Sequence, residues 1–435
     1  MLIEELHKKF LEKQLISTDT RQIEKGAIFF ALKGDSFNGN KFANQALSKG
    51  AALAIIDEKK YVENEKTILV KNVLDTLQEL ATFHRKKMKA KVIAITGTNG
   101  KTTTKELIYA VLQTEFSTIA TKGNLNNHIG VPLNLLRIKK NTQFAIIEMG
   151  ANHLKEIASL CEIAQPDFGI ITNIGKAHLE GFGNYEGVIK AKTEMYEYLA
   201  KNNGIVFYNA DNSILKNYIS GINSIAYAVK SVVTYRGELL RANPFVKMRF
   251  WSSPKLRSGI KIHSKLIGTY NLENILAALA IGSYFGIDKL KLKAAIEEYQ
   301  PDNNRSQFLT TATNSLVLDA YNANPTSMTA AINNFAQIDA ERKTLILGDM
   351  LELGEFSLQE HNSIIQRIEE LEFQQVFLVG INFHTVIQQN TNNIFQSFCS
   401  VADLNKYLET NPLKQHTVLL KGSRGIELEQ VIPYL

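Results

Sequence analysis

Residues Val92–Ile108 read VIAITGTNGKTTTKELI. The run KVIAIT has the unbroken apolar character of a buried strand, and KELIYAVLQ, after the glycines, has that of a helix. Between them, Gly97 and Gly100 stand where backbone must approach an anion without side-chain interference. The helix N-terminus offers amide donors, Lys101 a mobile positive charge for outer phosphates, and Thr102 a hydroxyl for Mg²⁺. The loop is a shortened one. The pattern G-x-x-x-x-G-K-[ST] calls for glycine where Ile95 lies, inside the strand. A plain strand-to-helix turn would need the glycines but neither the lysine nor the hydroxyl, so the stretch from Gly97 through Thr98, Asn99 and Thr103 reads as a nucleotide-phosphate loop.

At 435 residues the chain should hold about three domains. Hydrophobic residues at 45% and charged residues at 21% are those of a folded chain and exclude a disordered one. Cys161 and Cys399 lie far apart, with no metal-ligand spacing, and read as buried fillers. The segment MLIEELHKKFLEKQ reads as an amphipathic helix rather than a signal peptide, and no apolar run is long enough to cross a membrane, so the expected location is the cytoplasm. A net charge of +6, with Lys and Arg read as spread along the chain, suits a small anionic substrate better than nucleic acid.

Strand-like runs alternate with amphipathic segments, so the fold class is α/β with parallel sheets. Three sections separate. Residues 1–89 carry short strands (AIFFAL, AALAII) and close on the helix VLDTLQELATFHRKKM; the basic end HRKKMKAK runs straight on. Residues 90–301 open with the phosphate loop, continue through QFAIIEMG, DFGIITNIG and GIVFYN, and change to alternation between Ser231 and Lys265, which predicts an antiparallel extension at the sheet edge. Helices over 271–285 and 288–299 follow, and Pro301 breaks the pattern. Residues 302–435 alternate SLVLDA, KTLILGD, QVFLVG and HTVLLKG with helices, a doubly wound domain.

Further candidates lie at strand ends. Glu148 closes the strand in AIIEMGANH and could hold Mg²⁺ beside Thr102, or be a solvated capping acid. His178 in TNIGKAHLEGFG is a ligand or a structural histidine. Lys192 in GVIKAKTEMYEYL lies near the inward face of Val188, Met195 and Leu199, where a lysine reaching past the helix to water is the bland account. Asn271 and Asn274, three apart on one helical face, could pair with an adenine edge, or Asn271 could cap the helix. Lys33 and Gly34 sit in a polar turn suited to a diphosphate, or to a hairpin that binds nothing.

TGTNGKTTT, IEMGANH, TNIGKAHLEGFG, AKTEMYEYL and YNLENILAALA, in this order and at comparable spacing, resemble the signatures of the Mur ligase family, which joins amino acids or peptides to a UDP-N-acetylmuramoyl precursor. The resemblance implies a three-domain architecture: a small UDP-binding α/β domain, a central P-loop ATPase-like domain and a C-terminal Rossmann-like domain. It implies ATP and two Mg²⁺ ions, the first held by Thr102 and Glu148, the second by His178 and by Lys192 as a carbamate. Lys101, His178 and Lys192 would then be catalytic, Asn271 and Asn274 would contact adenine, Arg305 phosphate and Asp319 ribose. The family usually has glycine before that arginine; here Asn304 stands there, a residue that tolerates left-handed backbone. STDTRQIEKGAIFFALKGDSFNGN, with Thr20, Arg21, Lys33 and Gly34, and KGNLNNHIGVPLNLL, with Asn124, Asn126 and Asn127, resemble the substrate-binding segments of the branch that ligates D-alanyl-D-alanine to UDP-N-acetylmuramoyl-tripeptide. DAYNANPTSM and LLKGSRGIELEQVI match the same branch, and the D-N-P-R stretch of the diaminopimelate-adding branch is absent. The implied partners are that nucleotide-linked tripeptide and the dipeptide, with a monomeric enzyme, no nucleic acid and no membrane insertion. A sister ligase of the family and an ATP-gated binding protein are the alternatives.

Overall fold

The computed structural model describes residues 2–302, 304–371, 373–389 and 395–435. A first sheet holds strands Ile16–Ser17 (β1), Ile28–Phe30 (β2), Leu53–Ile56 (β5) and Thr67–Leu69 (β6), all parallel in the order β1-β2-β5-β6. Lys33–Gly34 (β3) and Phe37–Asn38 (β4) form the separate hairpin. The helix Ile3–Lys13 lays Leu6, His7 and Phe10 against the helix Val73–Lys87, as its amphipathic pattern requires.

The second sheet has nine strands: Lys91–Thr96 (β7), Thr118–Ala120 (β8), Phe144–Glu148 (β9), Phe168–Ile171 (β10), Ile205–Asn209 (β11), Asn223–Ala228 (β12), Tyr235–Ala242 (β13), Phe245–Trp251 (β14) and Ile260–Ile267 (β15). Their order is β15-β14-β13-β12-β11-β10-β7-β9-β8. Six central strands are parallel to their neighbours. β13, β14 and β15 close the sheet as the expected antiparallel extension, with Met248, Phe250, Ile262 and Leu266 turned inward and Lys261, His263 and Lys265 outward. Because β7 pairs with β9 on one side and β10 on the other, the chain reverses its direction of winding at β7, and a crevice opens at the carboxyl ends of these three strands.

The third sheet orders Gln307–Thr310 (β16), Ser315–Asp319 (β17), Lys343–Gly348 (β18), Gln375–Val379 (β19), Gln396–Phe398 (β20) and Thr417–Lys421 (β21) as β16-β17-β21-β18-β19-β20, parallel apart from β16. Helices 271–284 and 289–298 fall where the pattern placed them. One expectation needs correction. Cys161 is buried, but Cys399 is exposed, because it follows the edge strand β20 instead of sitting under the sheet. At the basic helix end His84 and Arg85 are buried while Lys86 and Lys87 are exposed, and Arg85 donates to the carbonyls of Ala164, Ala90 and Gln165 and pairs with Asp167 at 2.8 Å.

Candidate functional site

The phosphate loop leaves β7 at Thr96. Gly97 has φ +142°, and a Cβ there would lie 2.0 Å from the Thr172 hydroxyl; Gly100, the N-cap of helix Lys101–Leu112, has φ +76° and would meet Asn274 Oδ1 at 2.6 Å. Both glycines are thus required twice, by conformation and by packing. The segment after β10 clamps the loop from the side. Thr98 N donates to Asn173 O (3.0 Å), Asn99 N to Asn173 Oδ1 (2.9 Å), and the Thr172 hydroxyl to Asn99 O (2.6 Å). The Lys101 ammonium rests on the carbonyls of Gly97 (2.8 Å) and Thr98 (3.1 Å), and burial holds its pKa below the ordinary lysine value, with Glu148 opposing and Arg305 reinforcing that shift.

A cavity of about 1030 Å³ opens over this loop, between the second and third sheets. Its lining brings together residues 98–103, Asn124, Asn126, Asn127, Glu148, His178, Asn271, Asn274, Arg305 and Asp319, which sequence reasoning had named from segments far apart. Glu148 ends β9 and is 2% exposed. Its Oε1 accepts from Asn126 Nδ2 at 2.9 Å, while Oε2 has no hydrogen-bond partner among the described residues. A buried, unmatched carboxylate oxygen on a phosphate-loop cavity is costly unless a cation meets it, so Glu148 fits a Mg²⁺ ligand rather than a solvated cap. Among the described residues no group of three His, Cys, Asp or Glu side chains is placed to hold a metal.

Lys192 is buried and does not extend into bulk solvent. It is 2% exposed, its Nζ lies 5.4 Å from the centre of the Phe182 ring, and it makes no ion pair among the described residues. Burial, with the neighbouring Lys101 charge, lowers its pKa to about 7. It is not one of the residues that line the cavity. Phe182 in turn stands edge-on to His178, whose Nδ1 is 2.5 Å from a Glu352 carboxylate oxygen across the domain boundary.

The asparagines of the helix 271–284 have their amides engaged. Asn274 accepts from the Thr104 hydroxyl (3.1 Å) and donates to Asn271 Oδ1 (2.9 Å); Asn271 donates to Ile267 O (2.7 Å) and Ser306 Oγ (3.1 Å). Asn304 adopts φ +54°, the left-handed turn that replaces the family's glycine, and Arg305 lays its guanidinium over the Tyr321 ring at 3.9 Å. Asp319 is paired with the buried Lys421 at 2.7 Å. Asn324 caps the helix Pro325–Ala336 and donates to Asn99 Oδ1 at 2.8 Å. Lys421, Tyr321, Ser306 and Asn324 were missed in the sequence. The signal available was position: Lys421 ends β21 in a parallel sheet, as Glu148 ends β9. By contrast, Thr20, Arg21, Lys33 and Gly34 do not reach this cavity. Arg21 is tied to Asp19 at 2.7 Å, and Lys33 to Asp57 at 3.1 Å on the β3–β4 hairpin.

Family models match all three parts of the chain: the Mur ligase family catalytic domain over residues 13–94, the Mur ligase middle domain over 95–282, and the Mur ligase glutamate ligase domain over 304–424. A UDP-N-acetylmuramoyl-tripeptide--D-alanyl-D-alanine ligase of Bacillus subtilis is 34% identical over 96% of this chain and 92% of its own. The chain belongs to the Mur ligase family. This Mur ligase is equally similar to the Escherichia coli protein of the same name, 34% identical over 96% of this chain and 92% of that one. Among solved structures it resembles MurF from Acinetobacter baumannii (TM-score 0.86, 30% identity, 96% and 92% coverage) and MurF from Thermotoga maritima in complex with ADP (0.84, 26%, 97% and 96%). The three-domain α/β architecture is that of these neighbours.

Proposed function

We propose that this Mur ligase joins D-alanyl-D-alanine to UDP-N-acetylmuramoyl-tripeptide, with ATP converted to ADP and phosphate. The observation that carries the reading is the convergence of Lys101, Glu148, Arg305 and Asp319 on one cavity between two domains, in a chain that follows ligases of that name over almost its whole length. We take the domains as residues 1–89 for the UDP moiety, 90–301 for ATP and 302–435 for closure. A monomeric cytoplasmic enzyme fits the reading, and no helix among the described residues is long and apolar enough to cross a membrane.

A carboxylate and an ammonium do not condense in water, so the acid must be activated first. The tripeptide carboxylate attacks the γ-phosphorus of ATP, giving an acyl phosphate and ADP; the dipeptide amine then attacks the acyl carbon and phosphate leaves. The loop amides of residues 97–103 and the Lys101 ammonium receive the phosphates. To do so Lys101 leaves the Gly97 and Thr98 carbonyls. Arg305 approaches the phosphates, Asp319 the ribose and the 271–274 segment the adenine, while Asn271 and Asn274 also hold Gly100 in place. Asn124, Asn126 and Asn127 face the muramoyl peptide, and Thr20, Arg21, Lys33 and Gly34 the uridine diphosphate. Thr102 and Glu148 would hold one Mg²⁺, and His178 with a Lys192 carbamate a second; bound there, the ions offset charge on the transferring phosphoryl oxygens. An ammonium at position 192 would repel a cation, whereas a lysine whose pKa burial lowers to about 7 is neutral in about half of the molecules at pH 7 and can add CO₂. The decisive assay is the product mass after incubation with ATP, D-alanyl-D-alanine and each UDP-muramoyl peptide in turn. A pentapeptide product from the tripeptide alone is expected; product from the dipeptide instead would assign a sister activity.

A further inference from the structure

The basic residues are not spread along the chain as the sequence reading held. Residues 230–265 contain nine Lys and Arg and a single acid, while the other 399 residues contain 40 basic and 42 acidic side chains. The antiparallel extension and the loops that enter and join its strands therefore carry an excess of positive charge, while the rest of the chain is slightly acidic. The pleat sorts these charges onto one face: Arg249 pairs in register with Lys261, and Lys247 with His263, opposite the buried face of Met248, Phe250 and Ile262. The one acid, Glu238, is neutralised by Arg249 at 3.1 Å.

Apolar side chains stand at one end of this basic face. Arg236 at the start of β13 pairs with Trp251 at the end of β14, so the loops 229–234 and 252–259 leave the sheet together. Val232, 85% exposed, projects from the first, and Leu256, 48% exposed between exposed Lys255 and Arg257, from the second. None of these residues lines the cavity.

We propose that this end of the extension docks on an anionic lipid bilayer, with Val232 and Leu256 entering the boundary below the headgroups and Lys255, Arg257 and Lys261 meeting lipid phosphates. Aliphatic tips with Lys230, Lys255 and Arg257 beside them in the two loops match a surface that is apolar beneath and anionic above, the nearby Asp211 carboxylate being engaged by the backbone amides of Val229, Lys230 and Ser231. A single-stranded nucleic acid would instead call for exposed aromatic platforms. The two loops contain no aromatic residue, and Trp251 is 8% exposed with the guanidinium groups of Arg236 and Arg249 within 4.3 and 5.7 Å of its ring centre.

The test is cosedimentation of the full chain with vesicles of phosphatidylcholine alone and of phosphatidylcholine containing phosphatidylglycerol, with ADP release measured in parallel. Binding is expected only to the anionic vesicles and should fall with salt. The Lys255→Gln/Arg257→Gln variant should partition about thirtyfold more weakly, the effect of two basic residues at such a surface. Leu256→Ser, which leaves the charge intact, should also weaken binding, and both variants should release ADP at the normal rate. Equal sedimentation with both vesicles, none with either, undiminished vesicle binding by Leu256→Ser, or tighter binding of the unaltered chain to a single-stranded oligonucleotide than to vesicles would overturn the proposal.

Discussion

Substituting Gly100 by alanine tests how the phosphate loop is held. The native φ of +76° costs a residue with a Cβ about 1–2 kcal/mol. The new Cβ would also stand 2.6 Å from Asn274 Oδ1 and 3.0 Å from its Nδ2, so Asn274 must withdraw. Withdrawal breaks its bonds with the Thr104 hydroxyl and with Asn271, at about 0.5–1.5 kcal/mol each. The total is about 3 kcal/mol, a fall of roughly 6–12 °C in the melting of a domain this size. Asn274→Ala alone loses the same two bonds but opens the space that the Gly100→Ala side chain needs. The double variant should then cost about 1–2 kcal/mol less than the sum of the single changes. Melting curves and ATP affinity of the four proteins measure the cycle. Additivity within about 0.5 kcal/mol, or a Gly100→Ala protein with normal ATP affinity, would show that the contact does not hold the loop.

Three further outcomes are expected. With Lys192 titrating near 7, about half of its amines are neutral at pH 7, against about one in three thousand for a lysine at 10.5, so ADP release should fall in CO₂-depleted buffer and return with bicarbonate, more slowly at pH 6 than at pH 8; full activity without CO₂ would remove the carbamate. His7 and His84, 3.0 Å apart between two helices, are both held below the ordinary histidine pKa, chiefly by burial. Their folded values lie below the unfolded one, so the unfolded chain takes up protons first, and the stability they contribute is present above about pH 6.5 and lost as the pH falls below it; denaturant midpoints from pH 8 to pH 5 should decline less steeply in His84→Leu. Asn324→Ala removes both a helix cap worth about 1 kcal/mol and the bond to Asn99, so solution scattering with an ATP analogue and the UDP substrate should show a more extended molecule than the unaltered protein, and identical profiles would count against that bond as a closure contact.

The sheets were legible where apolar runs are long. KVIAIT, QFAIIEMG and SLVLDA declare buried parallel strands, and the alternation over 231–265 declares an edge. Two-residue pairings such as β1 carry no period, so they were not. In the site, Gly97, Lys101 and Glu148 could be found because a phosphate loop and a strand end fix where a side chain points. The clamp from Thr172 and Asn173 and the Lys421 partner of Asp319 depend on strands distant in sequence lying side by side in one sheet, and the tie between Ser306 and Asn271 on two domains meeting in space. Periodicity within one segment holds no record of that. Lys192 illustrates the same limit: helical spacing put it near the inner face, but only the packing beside Phe182 shows how deeply it is buried.

The seam between the central and C-terminal domains is stitched by neutral groups, amide to amide at Asn99 and Asn324, amide to hydroxyl at Asn271 and Ser306, backbone to amide at Thr269 and Asn334, and by two ion pairs, Lys176 with Glu360 and His178 with Glu352. Water can replace each neutral bond at little net cost, about 1 kcal/mol apiece. A seam fastened this way would part at modest cost, yet would reclose in register because every stitch has its own matching partner.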